Sequence, residues 1–273
     1  MRNLVKVGRW FFAICLLGLA GQQFYYSEFR PVFVPSWPGH IPAGIILVYL
    51  FNLMLIGCAI ALLLERQARS AMLLLGGIFL ILLLFCHIPY ELIVDPYSKH
   101  IGVWANAFKD LAFAGGAFAV AGSFPDNPLA IRKKSAVVRI LELLIPLGSF
   151  FFSITMIVFG ACHFLYVEFT VSIIPVWIPG HLFWTYFAGV ALIGAGLGVM
   201  FRIRLKQVAI LLGTMIFLWV ILLHIPRAAA APPTDKGNEL TSVFEALGFS
   251  GTAFVMAYGY ALTRVFPGAV AVS

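Results

Sequence analysis

Five of the six histidines in this sequence belong to a set that is spelled twice. His163, Glu168, His181 and His224 recur, in the same order, as Gln23, Glu28, His40 and His87. Imidazole titrates near neutral pH, and a carboxylate can be tuned towards it, so such a set can pass protons. Two His and a Glu can also hold a metal such as zinc, and His163, His181, His224 and Glu168 are the candidate ligands. Gln23 is a poorer ligand than His163, which favours the second copy. A plainer reading competes: His and Trp at a membrane surface commonly anchor helices at headgroup depth.

The sequence around the set repeats as well. "QFYYSEF" at 23–29 falls on "HFLYVEF" at 163–169, and Pro35 and Trp37 fall on Pro175 and Trp177. "PGH" at 38–40 falls on "PGH" at 179–181. "LLGGIFLILLLFCHIP" at 74–89 falls on "LLGTMIFLWVILLHIP" at 211–226, and "LAFAGGAFAV" at 111–120 on "LGFSGTAFVM" at 247–256. Composition alone can align apolar runs. It does not supply a shared Glu, Trp, Pro-Gly-His and His-Ile-Pro in one order.

The elements that must carry these residues are membrane helices. The chain of 273 residues is 62% hydrophobic and 11% charged, where a soluble domain is about a quarter charged. Eight stretches approach the ~20 apolar residues that cross a bilayer: 7–26, 41–64, 71–94, 101–122, 136–163, 181–201, 206–226 and 239–263. The basic start followed by "WFFAICLLGLAG" resembles a signal peptide, but the repeat pairs it with an internal span, so it reads as a helix that stays. The expected fold is all-α, with eight transmembrane helices as two parallel four-helix repeats. These are 1–125 and 136–273, joined by a cytoplasmic linker at 126–135. An even number of spans per unit makes the repeats parallel.

The formal charge of +7 does not point to nucleic acid, because position explains it. Arg2, Lys6, Arg9, Arg66, Arg69, Arg132, Lys133, Lys134, Arg139, Arg202, Arg204, Lys206 and Arg264 all fall at alternate connections. That is the positive-inside signature. It sets both termini in the cytoplasm and puts the His/Glu set on the outer face. Tyr25, Tyr26, Trp37, Tyr90, Trp104, Tyr166, Trp177 and Trp184 crowd that face. They form an aromatic belt, and Trp37 and Trp177 would also wall a flat ligand. Deeper lie Lys109, Asp110 and Glu245, with Glu245 falling on Lys109 in the repeat. Charges at such depth are usually paired or functional, and a Lys109–Glu245 pair across the two units is expected. The four cysteines form no CxxC, and no CxxCH or nucleotide fingerprint is present.

At the repeated pattern, above all "FGACHFLYVEFTVSIIPVWIPGHLFWTYFAGVALIGAGLGVMF" at 159–201, the chain resembles the DoxX-like family of bacterial membrane proteins. The resemblance implies four-helix membrane units. It also implies a link to respiratory redox complexes, as in quinone-linked thiosulfate oxidoreductase, or in the related MauE proteins that accompany methylamine dehydrogenase. This chain departs from the family by carrying two units. The reading that follows is a membrane subunit or partner of a redox complex, with a protein partner and with quinone as the candidate cofactor; metal and heme are the alternatives. His163, Glu168, His181 and His224 would act on protons. Gln23, Glu28, His40, His87, Trp37 and Trp177 would hold the ligand. The competing readings are a small-molecule or lipid-binding protein or transporter, centred on Lys109 and Glu245, and a structural docking subunit.

Overall fold

Within a bilayer every backbone N–H and C=O must find its partner inside the chain, so apolar segments of this length become helices. The computed structural model describes residues 2–37, 44–125 and 135–258. In them α1 spans Arg2–Tyr26, α2 Gly44–Leu63 and α3 Ala68–Leu82. A π turn, Leu83–His87, carries α3 into α4, Ile88–Ile93. Then come α5 at Ala105–Gly122, α6 at Ala136–Glu142, α7 at Gly148–Leu165 and α8 at Val167–Ser172. The last group is α9 at His181–Met200, α10 at Leu205–Trp219, a second π turn at Val220–His224, α11 at Ile225–Ala230 and α12 at Asn238–Met256.

Six segments are long and apolar enough to cross a membrane: Asn3–Tyr26, Gly44–Leu63, Ala68–Ile93, Ala136–Leu165, His181–Met200 and Leu205–Ala230. The chain is a multi-pass membrane protein by this measure. Eight spans were expected, and α5 and α12 fall short of that standard. Lys109 and Asp110 lower the hydropathy of α5, and Glu239 and Glu245 that of α12. Both helices are nearly sheathed by protein, from Ala112 to Phe118 in α5 and from Gly248 to Met256 in α12. The peripheral helices are different. In α2, Val48, Asn52, Leu55, Ala59 and Leu62 are buried at helical spacing, while Ile45, Ile46, Leu50 and Leu53 stay exposed. One stripe meets protein and the other is left for lipid.

The long helices form a closed ring in chain order. Each packs on the next: α1 on α2, α2 on α3, α3 on α5, α5 on α7, α7 on α9, α9 on α10 and α10 on α12. Then α12 returns to α1, in one of the two largest interfaces of the fold, and α5 touches α12 across the middle. A file of buried rings runs through this centre. Phe33 stacks on Phe79 at 5.5 Å, Phe79 meets Phe113 at 5.8 Å, and Phe113 meets Phe249 at 5.0 Å. At one end of the bundle Arg9 binds Glu65 at 3.2 Å and the Ser123 carbonyl at 2.6 Å. Beside it Arg69 binds Glu142 and the carbonyls of Ala121 and Phe124. These cations satisfy the open C-terminus of α5.

Two backbone contacts close the ring. A Cβ on Gly251 would sit 2.5 Å from the Gly8 carbonyl oxygen, and one on Gly115 2.6 Å from that of Gly148. Backbone cannot yield as a side chain can, so the small residue is required for the helices to approach. Gly251→Ala should therefore cost about 1–3 kcal/mol of stability, the range for overpacking. Gly57→Ala, where a Cβ meets nothing within 4 Å, should be neutral or gain up to about 1 kcal/mol from helix propensity. Thermal unfolding in detergent reads both. Equal melting temperatures for the two variants would show that the contact does not hold α1 to α12.

Candidate functional site

The second half of the chain encloses a cavity of about 680 Å³. Its wall is built by helical spacing. From α9 come Trp184, Thr185, Ala188 and Leu192; from α10 Met215, Ile216 and Trp219. From α7 come Met156, Phe159, Cys162 and His163, and α12 adds Ser242, Glu245 and Phe249. The first half closes the remaining side with His100, Gly102 and Val103 from the segment before α5, then Ala105 and Lys109 of α5. His100 and Phe169 are exposed and mark the open end. The lining is overwhelmingly apolar, as small-molecule pockets commonly are.

A few polar groups stand in this apolar wall. Lys109 Nζ lies 2.8 Å from Glu245 Oε2, joining α5 to α12 across the two halves as expected from the sequence. The Glu245 side chain is only 5% exposed, so the pair is neutralised by contact rather than by water. His163 Nδ1–H donates to the Phe159 carbonyl at 2.7 Å. A carbonyl only accepts, so the neutral ring keeps Nε2 as a free acceptor. The His224 ring has no hydrogen-bond partner among the described residues, and its Nδ1 is sealed from solvent. Thr185 Oγ1 is likewise sealed and unpartnered. Buried polar atoms are nearly always satisfied, so these two sealed atoms behind the cavity wall are exceptions.

The sequence set divides on this geometry. His163 and His224 converge on the cavity with Lys109 and Glu245. These two histidines and the ion pair, read from the sequence as belonging to rival functions, thus line one site. His181 does not reach it. It opens α9, and its Nε2–H donates to the Pro175 carbonyl at 3.1 Å. Gly180 before it has φ +72°, the left-handed region that glycine favours. Trp184 Nε1–H donates to the Pro179 carbonyl at 3.1 Å. The second Pro-Gly-His is thus a built turn that starts a helix. Glu168 is exposed on α8 and outside the lining, and Trp177 is 58% exposed.

In the first half the corresponding residues are sealed or peripheral. Gln23 is fully buried, donating to Asn52 Oδ1 at 2.5 Å and accepting from Arg30 N–H at 3.0 Å. His87 is fully buried and donates from Nε2 to the Val32 carbonyl at 3.0 Å. Glu28 is exposed, 3.9 Å from Lys236, and a pair so exposed contributes little. Trp37 packs edge-on against Tyr90 at 5.6 Å. His40 lies outside the described residues. The metal set offered by the sequence is not assembled: two of its four members stay away from the cavity, and no group of three His, Cys, Asp or Glu able to hold a metal occurs among the described residues. The reason is local, since His181 is taken up by its turn and Glu168 faces outward.

Sequence reasoning missed Thr185 and Ser242. The signal for Thr185 was there: the one aliphatic hydroxyl in "HLFWTYF", one residue after a tryptophan, inside a span. Comparison of the chain with protein-family models, curated proteins and solved structures finds no match in any of the three.

Proposed function

We propose that this protein takes a membrane-soluble small molecule into the second-half cavity, as a subunit or partner of a redox complex in the bacterial inner membrane. A quinone is the fitting class. The observation that carries the reading is one apolar cavity lined by two histidines and a buried ion pair. A ligand with an apolar body and a polar head matches both the apolar wall and the few polar groups that stand in it. His163 Nε2 would accept from a hydroxyl, and Lys109 with Glu245 would hold charge balanced beside the head. Electron transfer would need a partner's cofactor, and the DoxX-like resemblance is what supports a redox setting.

In this reading α5 and α12 also cross the membrane, making eight spans with both termini cytoplasmic. Two parallel repeats, 1–125 and 136–273, are supported by paired features. The contact of Gly8 with Gly251 has its counterpart in Gly148 with Gly115, and the same residues align in the sequence. Each half also has a π turn that ends on a histidine before Ile-Pro.

The protein purified into nanodiscs and extracted with organic solvent should release a lipid-soluble molecule, identified by mass spectrometry. Lys109→Met and His163→Ala should lose it, and His181→Ala should keep it. If wild type carries no such molecule and binds no added short-chain quinone, the reading fails. Thr185→Val is a finer probe. It removes an unsatisfied hydroxyl at constant shape, so the empty protein should be unchanged or slightly more stable. Ligand affinity should be little changed, measured by titration calorimetry, because the hydroxyl lies behind the cavity surface. A carrier is the second reading, favoured by the ion pair lying inside the same cavity; transport of the ligand between leaflets would distinguish it.

A further inference from the structure

His87 and His224 hold matching places and meet different surroundings. Each closes a five-residue π turn, Leu83–His87 and Val220–His224, and each is followed by Ile-Pro. In both rings Nδ1 is sealed and without a partner. A bare lone pair is tolerated there better than an unpaired N–H, so the ring proton belongs on Nε2. In the first half that Nε2–H has an acceptor, the Val32 carbonyl at 3.0 Å.

The next residue completes the arrangement. Phe33 comes from a loop, yet it is fully buried. It stacks flat on Phe79, with ring centroids 5.5 Å apart and 2° between planes. Phe51 meets it edge-on at 5.1 Å. The loop thus delivers to the interior a flat ring and, beside it, a carbonyl oxygen for the π-turn histidine. In the second half the aligned residue is Ile173, which lines the cavity wall instead of filling the interior. His224 is left without an acceptor, and the space stays open.

We infer that the ligand of the second half supplies what Val32 and Phe33 supply in the first: a carbonyl oxygen for His224 Nε2–H, carried beside a flat ring. The ligand class is a membrane-soluble ring carbonyl compound. One molecule binds at this position per chain, because Phe33 already occupies the counterpart position in the first half. This inference rests on the reading that the cavity binds a ligand, and adds which group of the ligand meets which atom of the protein.

The test uses the full chain in nanodiscs and two probes, a short-chain alkyl benzoquinone and an alkylbenzene of equal chain length. Wild type should bind the benzoquinone about tenfold more tightly, the worth of one good hydrogen bond, with one site per chain. His224→Phe should abolish this preference while leaving alkylbenzene affinity unchanged, which shows that the cavity is intact. His224→Gln, which keeps a donor, should restore part of it. Equal affinities in wild type, a preference that survives in His224→Phe, or two benzoquinones per chain would overturn the inference and leave the cavity reading standing. If neither probe binds, both fall.

Discussion

Replacing Glu245 by alanine should lower the unfolding free energy by about 3–5 kcal/mol, the range for breaking one partner of a buried ion pair. Glu245 is almost wholly enclosed, and Lys109 Nζ at 2.8 Å is its ion-pair partner. Without it an ammonium group is stranded in an apolar wall, where no carboxylate among the cavity-lining residues replaces Glu245. Lys109→Met should cost a similar amount by stranding the carboxylate. The double variant Lys109→Met with Glu245→Leu should recover most of the loss, because the desolvation of both charges disappears together. Denaturant unfolding in mixed micelles measures all three. Additive losses in the double variant would show that the two residues do not act as a pair. The ion pair also joins α5 to α12, so the single variants should loosen the contact between the two halves.

Phe33→Ala should cost about 3–5 kcal/mol, as for a fully buried core phenylalanine. Nothing in its position along the chain announces this, since loop residues generally tolerate change. The cost arises because Phe51, Phe79 and Phe113 all close on this ring, within 6.1 Å of its centroid. Phe33→Leu keeps most of the volume and should cost about 1.5 kcal/mol or less. Val176 sits in the corresponding loop of the second half and is 94% exposed. Val176→Ala should stay within about 0.5 kcal/mol of wild type. Matching losses at the two loops would show that Phe33 does not fill the first half.

The sequence made the helices and the Lys109–Glu245 pair legible for different reasons. Apolar length alone places helices, because the bilayer leaves the backbone no other solution. The ion pair was legible because two charges at one level of two aligned apolar segments have few other ways to be neutralised. The site was legible only in part. Histidine type and spacing identified His163 and His224. They did not distinguish these from His181 and His87, whose partners are the backbone carbonyls of Pro175 and Val32. A backbone acceptor leaves no mark in residue identity. The Phe33 insertion was hidden for a related reason. Period-based reading assigns burial to helix faces, and a loop that turns inward has no period. The shortfall of α5 and α12 as spans follows from the same charges that make them interesting, because Lys109, Asp110 and Glu245 lower the hydropathy of the two helices most deeply enclosed by protein.

The closed ring has a consequence for biosynthesis. The broad face of α1 that carries Gly8 is covered by α12, which begins only at Asn238. During elongation α1 can settle against α2, but its other side has no protein to meet until nearly the whole described chain has been made. Lipid or an insertion chaperone must occupy that side in the interval. A nascent chain stalled before Asn238 is therefore not a smaller version of the fold: its ring has a seam, and the exposed edge is the glycine-bearing face of α1 that is best suited to close contact with another helix.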